Sequence, residues 1–596
     1  MINTTRLFWA RYKKLLTALL IFSTIIIVYL VFCSAWFFDG EDWGLILKAS
    51  QCISFKDFIH FFTEGNVICL SGPVILPPTQ LPQSPMFFYR PLVLIIHFIQ
   101  YHTLGLYAYA YFIFIVIIHA LNTSLIFILF SYATKRYFLP MLYALAFAFH
   151  PLLYGWLGKI DTQQNIINLF LMLLCILLLI NALHNKRIFS YLLACLLFFL
   201  CLLIRETFIT FPFILFIGLW IFERCECNSF TKNLRLKLST CSGFIMVLMI
   251  YLTLRHYATP SSMHSDFLTV HDTLSSNYCA IYAKIKNFSS FFYDLFWLMW
   301  FPHTTYDFFK QYDISWIYRI LKATIFLLIS TLFITNRNKN ILYALFIIAL
   351  FTLWPFIFVS SGGYRYSYEA LPIYTVVFIW LIYSSPISNN HIFMIVWGIF
   401  MTGIIIINGI HVTRSMNAIM RKPKKITAAL THFASQRVDI PNKPLFIFNA
   451  DQPTSCGILQ ATQLFHITTA LPKFFLSNLF INKEISAKDV PLFVKLVIHP
   501  NTIEIQSKCR SKLWFLLSCG TDEPLIYTKR TIVNQQIVRL PFYLKNITSN
   551  DSLDGKFFNL KLYFEQKYFS PDVIVAALFL NEEQFVILNK HAQITL

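Results

Sequence analysis

Residues 109–133 read YAYFIFIVIIHALNTSLIFILFSYA, a stretch without a single Lys, Arg, Asp or Glu. A helix of about 20 apolar residues crosses the hydrocarbon core of a bilayer. This stretch therefore sets the fold class, a helical membrane protein, and the rest of the chain agrees with it. Of 596 residues, 57% are hydrophobic and 13% are charged, against roughly 25% charged in soluble domains. The 24 Pro and 17 Gly are too few for a low-complexity or collagen-like chain, and 13 Cys too few for a disulfide scaffold.

Eleven apolar runs qualify as spans, near 15–37, 109–133, 138–150, 163–183, 188–204, 207–222, 239–256, 316–335, 341–360, 370–386 and 391–410. The first is too long for a cleaved signal peptide and reads as a signal anchor. With the N-terminus in the cytoplasm, the inside segments carry Arg6, Arg11, Lys13 and Lys14; Lys135 and Arg136; Lys186 and Arg187; Arg224, Lys232, Arg235 and Lys237; and Arg337 and Lys339. That is the bias that holds cytoplasmic loops in place. Residues 289–302 are apolar but carry Asp294 and end at Pro302. Counting them as a span would put Arg337 and Lys339 outside, so they read as an interfacial helix. The net charge of +20 then reports topology rather than nucleic-acid binding.

Residues 1–411 form the membrane region, with a long first outer loop over 37–108. They hold 15 of the 28 acids, and only Glu223 and Glu226 fall in inside loops. Acids contribute little to topology, so an acid-bearing outer face is what a catalytic or ion-binding face would look like. Residues 412–596 change character. They hold the other 13 acids and alternating runs such as 444–449, 502–506 and 556–564. They read as a soluble α/β or β-rich domain on the outer side. The basic link 414–425 suits an anchor on anionic lipid.

The outer face carries the candidate chemistry. Asp39-Gly40-Glu41-Asp42-Trp43-Gly44 follows the first span directly. Acids so close to hydrocarbon are costly unless they serve something; otherwise they form an interfacial cap. The loop closes on Tyr89-Arg90-Pro91-Leu92. Arg90 either offers its fork of donors to a phosphate or carboxylate or pairs with the acids at the loop's start. His150-Pro151 ends the third span and leads through Trp156 and Lys159 to Asp161. Arg205-Glu206-Thr207 separates two spans, as a structural ion pair or as a functional one. Ser360 to Glu369 contains Gly362-Gly363 and then Tyr364-Arg365-Tyr366, where an Arg among tyrosines suits a phosphate or a sugar face. Arg319 and Lys322 lie in outer turns of the eighth span and either snorkel or meet an anionic lipid head.

In order and membrane side, these motifs resemble the type C glycosyltransferase superfamily. Its members are polytopic enzymes that transfer sugars from polyprenyl-phosphate carriers. The likeness is greatest to bacterial relatives of the O-mannosyltransferases. It covers roughly residues 1–411, including His119 and Asn122, and not the C-terminal region. The resemblance implies that Asp42, or its neighbour Glu41, deprotonates the acceptor. It also implies that Arg90, Arg205 and Arg365 contact the donor phosphate, and that Glu206 orients Arg205 or the acceptor. Tyr89, Tyr366, Lys159, Asp161 and His150 would complete the substrate site. The sequence has Tyr154-Gly155 where relatives often carry a Glu, which leaves a second acidic role to Asp161 or to none. Some members use a divalent metal and others do not, and no ligand cluster here is strong enough to claim one.

The expected function is therefore transfer of a sugar from a polyprenyl-phosphate-linked donor to a glycolipid, glycan or protein acceptor, among membrane lipids and without nucleic acid. The alternatives are a transporter or flippase of lipid-linked sugars, or a non-catalytic scaffold of envelope assembly. Transporters place charges near the midplane on broken helices, whereas here they sit at outer helix ends. Cys33, Cys175, Cys195, Cys201 and Cys241 read as packing residues. Cys225 and Cys227 would be inside and reduced, and Cys52 with Cys69, or Cys509 with Cys519, could pair outside. The richness in Phe, Ile, Asn and Lys points to a bacterial inner membrane, with the C-terminal domain periplasmic.

Overall fold

The computed structural model describes residues 2–33, 36–38, 41–51, 62, 89–134, 136–224, 230–258, 368–369, 371–372 and 390–435. Beyond these it describes residue 464 and eleven strands. The interfacial helix expected at 289–302, the spans at 316–335 and 341–360 and most of 370–386 lie outside the described residues. So do Arg319, Lys322, Arg365, Tyr366 and the cysteines at 52, 69, 225, 227, 509 and 519. The chain divides into two compact units. One lies within Met1–Trp36, Cys52–Val67 and Phe87–Met420, the other within Phe37–Gln51, Ile68–Met86 and Arg421–Leu596.

The first unit is helical: α1 (Ile2–Phe32), then α3 (Pro91–Leu104), α4 (Ala108–Thr134), α5 (Phe138–Ala148), α6 (Tyr154–Leu157), α7 (Gln163–Asn185), α8 (Ile188–Ile204), α9 (Phe211–Arg224) and α10 (Phe230–Ala258), with α2 (Glu41–Gln51) in the other unit. Among the described residues, six stretches are long and apolar enough to cross a membrane: Tyr12–Phe32, Ala108–Thr134, Phe138–Leu157, Gln163–Asn185, Leu238–Ala258 and His391–Arg421. Their surfaces show why. In α1, Ala18, Ile21, Ile25 and Tyr29 recur at helical spacing and are buried, while Leu15, Leu16, Leu19, Leu20, Ile27 and Val31 are exposed. A soluble helix would put polar residues on that second face. Here both faces are apolar, one against protein and one toward lipid. The protein is a helical membrane protein.

Local sequence fixes the turns. Lys186 closes α7 in the left-handed region (φ 52), and the amide of Arg187 reaches back to the carbonyl of Ala182 at 3.2 Å, so α8 folds straight back along α7. Asn181 Nδ2 donates to Ser190 Oγ at 2.9 Å and ties the hairpin. On α1, Ser124 Oγ of α4 donates to the carbonyl of Ala18 at 3.0 Å. Lys14 Nζ stands 5.9 Å from the rings of both Tyr132 and Tyr137, which puts the basic start of α1 beside the α4–α5 turn.

Two expectations are refined. The first outer loop is not loop throughout, since Glu41–Gln51 and Pro91–Leu104 within it are helical. The short third span is a broken one. α5 has 11 residues, roughly 16 Å and about half the hydrocarbon thickness. Pro151 then prevents its continuation, and a 3-10 turn (Pro151–Leu153) and α6 carry the chain on to Leu157.

α11 (His391–Ser435) runs unbroken through the boundary expected at 411. Its exposed face begins with Ile392, Ile395, Ile399, Ile406 and Ile410 and continues at helical spacing to Arg414. Near this end Asn417 Nδ2 donates to the carbonyl of Phe32 at 2.7 Å. The C-terminal end of α1 is therefore level with Asn417, well inside α11.

In the second unit the described residues after 444, apart from one helical residue at 464, are strands. One sheet has the order β10-β9-β1-β2-β5-β6, in which β1 (Leu445–Phe448) pairs in parallel with β2 (Lys473–Ser477) and β9 (Val575–Phe579). The outer strands β5 (Trp514–Ser518), β6 (Pro524–Tyr527) and β10 (Gln584–Leu588) pair antiparallel. The other sheet is wholly antiparallel, in the order β11-β3-β4-β8-β7, built from β3 (Phe493–His499), β4 (Thr502–Lys508), β7 (Phe542–Leu544), β8 (Phe557–Phe564) and β11 (Gln593–Thr595).

Candidate functional site

The site is made of helix ends. Pro91 starts α3 and leaves Arg90 just before the first turn. Arg90 is buried, and its guanidinium meets Glu206 at two points, Nε to Oε2 at 3.1 Å and Nη2 to Oε1 at 2.9 Å. The third guanidinium nitrogen, Nη1, donates to Gln164 Oε1 at 3.4 Å. Burial alone would raise the Glu206 carboxyl. The charge and hydrogen bonds of Arg90, with the charge of Arg255, outweigh it and bring the carboxyl down to about 2. Glu206 is thus ionised at neutral pH.

Among the described residues, Glu206 is a carboxylate that Arg90 bonds at two points. Arg205 closes α8 in an extended conformation (φ −163, ψ 138), and successive side chains of extended backbone point to opposite sides. Glu206 turns toward Arg90. Arg205 is buried, and its charge lowers the proton affinity of a second carboxylate, Glu369.

Glu369 is held on one oxygen. Its Oε1 accepts from Thr207 Oγ1 at 3.0 Å and from Asn168 Nδ2 at 3.2 Å. The same Asn168 nitrogen lies 2.9 Å from Thr207 Oγ1. Burial is the largest influence on Glu369 and raises its carboxyl above the ordinary range, although Arg205, these two hydrogen bonds and Arg90 all oppose it. Their surroundings thus shift the two glutamates in opposite directions. Such divergence is the pattern by which sites separate acid from base.

Next to Glu369, Tyr368 enters a buried polar network. The break after α5 leaves the carbonyl of Ala148 without an intrahelical partner, and in a membrane it must find one. Tyr29 OH donates to it at 2.8 Å, and His119 Nε2 lies 3.1 Å away. A carbonyl only accepts, so Nε2 carries the proton. In the neutral ring Nδ1 then accepts from Tyr368 OH at 2.8 Å, and the hydroxyl accepts from Asn122 Nδ2 at 3.2 Å. Asn122 Nδ2 also donates to the carbonyl of Ile166 at 2.8 Å. Trp156 packs its ring edge-on to Tyr368, with centroids 5.2 Å apart.

A third group joins α3 to the start of α7. Gln100 and Gln163 exchange amide hydrogen bonds of 3.0 and 2.7 Å, and Gln163 Nε2 also donates to His97 Nδ1 at 2.9 Å. Burial lowers His97 to about 4, against the opposing charge of Asp161 and the bond to Gln100, so this histidine is neutral at pH 7.

Of the other expected residues, Tyr89 OH donates to the carbonyl of Phe62 at 3.3 Å, and its ring lies 6.0 Å from that of Tyr251. His150 is buried and caps the turn after α5, with Nδ1 accepting from the amide of Leu152 at 3.3 Å. Lys159 and Asp161 lie in the turn before α7. Thr162 Oγ1 donates to the carbonyls of Trp156 and Lys159, and Gln164 Nε2 donates to the carbonyl of Asp161 at 2.7 Å. Asp42 is fully buried in the first turn of α2, beside Trp43, whose ring meets Phe38 edge-on at 5.1 Å. It belongs to the second unit, together with Glu41, which opens α2. Among the described residues, no three His, Cys, Asp or Glu side chains gather as a metal site. Cys33, Cys175, Cys195, Cys201 and Cys241 are buried and free.

Sequence reading passed over Glu369, Tyr368, Asn168, Gln163 and Gln164 as site residues. The signal was available in QQNIIN at 163–168, where Gln164 and Asn168, four apart on one face of an apolar helix, take Arg90 and Glu369. In comparison with known proteins, no family model and no curated protein matches the chain.

Proposed function

We propose that the protein is an integral membrane glycosyltransferase. It moves a sugar from a polyprenyl-phosphate-linked donor to a glycolipid, glycan or protein on the outer face of the membrane. The observation that carries the reading is the cluster of two buried arginines, Arg90 and Arg205, with the carboxylates Glu206 and Glu369 at neighbouring helix ends. Charge of this kind is costly in a membrane protein and marks function by default. Cations positioned where a phosphate leaves stabilise the charge that develops on it. The anomeric carbon–oxygen bond to the carrier breaks and the acceptor oxygen or nitrogen bonds to that carbon. The carrier departs as polyprenyl phosphate, a leaving group that needs no general acid. The acceptor's proton goes to Asp42, the base that the resemblance to type C glycosyltransferases assigns, with Glu41 as its neighbour.

In this reading Arg205 and Arg365 meet donor phosphate. Arg90, two-point bonded to Glu206, holds the ends of α3 and α8 in register. Tyr89, Tyr366, Lys159, Asp161 and His150 border the substrates. Eleven spans carry the chain from a cytoplasmic N-terminus to a periplasmic soluble domain over 412–596, in a bacterial inner membrane. The basic turns after Ile410 lie against anionic lipid headgroups.

The test is transfer by the purified full-length chain in nanodiscs. Undecaprenyl-phosphate glucose, mannose, galactose and arabinose serve as donors and an envelope extract as acceptor. Label reaching the acceptor supports the reading. Lipid-linked sugar crossing a liposome bilayer with its phosphate bond intact would favour a flippase instead. Absence of both would leave a scaffold. Mass comparison of envelope glycans with and without the gene identifies the product.

A further inference from the structure

Glu369 is anchored lopsidedly. Oε1 takes both donors, from Thr207 and Asn168, while Oε2, equally buried, has no hydrogen-bond partner among the described residues. Asn168 leaves its own Oδ1 without one, and so does Asn122, which is joined to Glu369's chain neighbour Tyr368. A buried polar atom left unpaired is costly, and the cost grows with charge. Native interiors retain few such atoms without a reason.

These three atoms are acceptors, and beside them Trp156 Nε1, on the ring packed against Tyr368, is a buried donor also left over. A phosphate, itself only an acceptor, cannot answer the three acceptors, and a carboxylate would repel it. A metal cation is disfavoured by Arg205 and Arg90, whose charges both act on Glu369. A group rich in O–H donors fits, and the ring of a sugar is one.

We propose that Glu369 Oε2 accepts a hydrogen bond from a ring hydroxyl of the lipid-linked sugar, so that Glu369 selects the donor while the arginines hold its phosphate. This rests on the transferase reading and names the residue that recognises the sugar.

Glu369→Gln makes a sharp probe. The two donors at Oε1 require an oxygen there, so the glutamine must place its NH2 where Oε2 stood. The substitution thus turns an acceptor into a donor and leaves the anchoring intact.

Binding of undecaprenyl phosphate alone is compared with binding of undecaprenyl-phosphate glucose, mannose, galactose and arabinose and their mono-deoxy forms, using the full chain in nanodiscs. The wild type is expected to lose about tenfold in affinity for the best of these sugars when one hydroxyl is removed. Glu369→Gln should lose the preference for that sugar lipid over undecaprenyl phosphate by about tenfold and no longer distinguish the deoxy form. A cooperative melting transition in the nanodisc shows that the variant has folded. Should it fail to fold, Thr207→Val, which frees Glu369 from one donor, is expected to reduce the same deoxy penalty.

A deoxy penalty that survives in the variant overturns the proposal. So does a wild type indifferent to every hydroxyl, or a variant that prefers the sugar lipid over undecaprenyl phosphate as strongly as wild type, the result expected if Oε2 carried a proton or met only water. In each of these cases transfer by the wild type would still stand. A wild type that neither binds nor transfers any of the donors removes the transferase reading, and this inference with it.

Discussion

Arg90 and Glu206 stand 116 positions apart in the chain and meet at two points, Nε to Oε2 at 3.1 Å and Nη2 to Oε1 at 2.9 Å. The contact joins the start of α3 to the end of α8. The side chains are 9% and 24% exposed, too buried for the pair to be treated as a screened surface contact. Removing one partner strands the other, at a cost of about 3 kcal/mol. Arg90→Ala and Glu206→Ala should each lower the unfolding midpoint in detergent, and the double variant should lose much less than their sum. Strictly additive losses would show that the pair is not coupled.

The same pair predicts a pH dependence. Glu206 is held at about 2, below the ordinary 4.5. A depressed carboxyl contributes stability that is present above the unfolded value and is lost as pH falls toward the folded one. Thermal stability should therefore sag between pH 4.5 and 2, by about 3 kcal/mol from this group. Glu206→Gln should be less stable at pH 7 and flatter across that window. A variant that sags as steeply as wild type would assign the effect to other carboxyls.

Tyr368 OH is shared between His119 Nδ1 at 2.8 Å and Asn122 Nδ2 at 3.2 Å. Tyr368→Phe keeps the ring against Trp156 but leaves two buried polar groups unanswered, at about 1–3 kcal/mol. A melting curve of the detergent-solubilised variant measures the loss, and an unchanged midpoint would mean that water replaces the hydroxyl.

Gly243 on α10 is packed against Tyr191, whose OH accepts from the Gly243 amide at 3.2 Å and donates to the carbonyl of Thr240 at 2.8 Å. A Cβ at 243 would collide with that hydroxyl. Gly243→Ala should cost about 1–3 kcal/mol, and Tyr191→Phe should recover part of it. Failure of that rescue would place the clash elsewhere.

Asp42→Asn keeps shape and removes the base. Under the proposed function it should abolish sugar transfer with the protein level unchanged, as read by the transfer assay and an immunoblot. Normal modification of the acceptor would remove Asp42 from the mechanism.

Much of this was legible in the chain. The runs that became α1, α4, α7 and α8 are uninterrupted apolar segments, and hydrophobicity sums over neighbours in sequence, so no partner need be known. Helix-end positions of Arg90, His150 and Arg205 followed from adjacent prolines and from the ends of apolar runs. The break after Ala148 was visible only as shortness, because what makes it tolerable is a carbonyl satisfied by Tyr29 and His119 from two other helices.

Sequence alone determined that the chain is a helical membrane protein and that its acids and arginines concentrate where helices end, since both depend on local composition. Tertiary structure alone decided which charge answers which. Arg205 and Glu206 are neighbours in the chain, yet Glu206 bonds Arg90 from 116 positions away, while the charge of Arg205 acts on Glu369. A charge buried in a membrane protein takes the partner that packing brings within reach. Packing is set by the apolar faces of whole helices and not by the residues beside the charge.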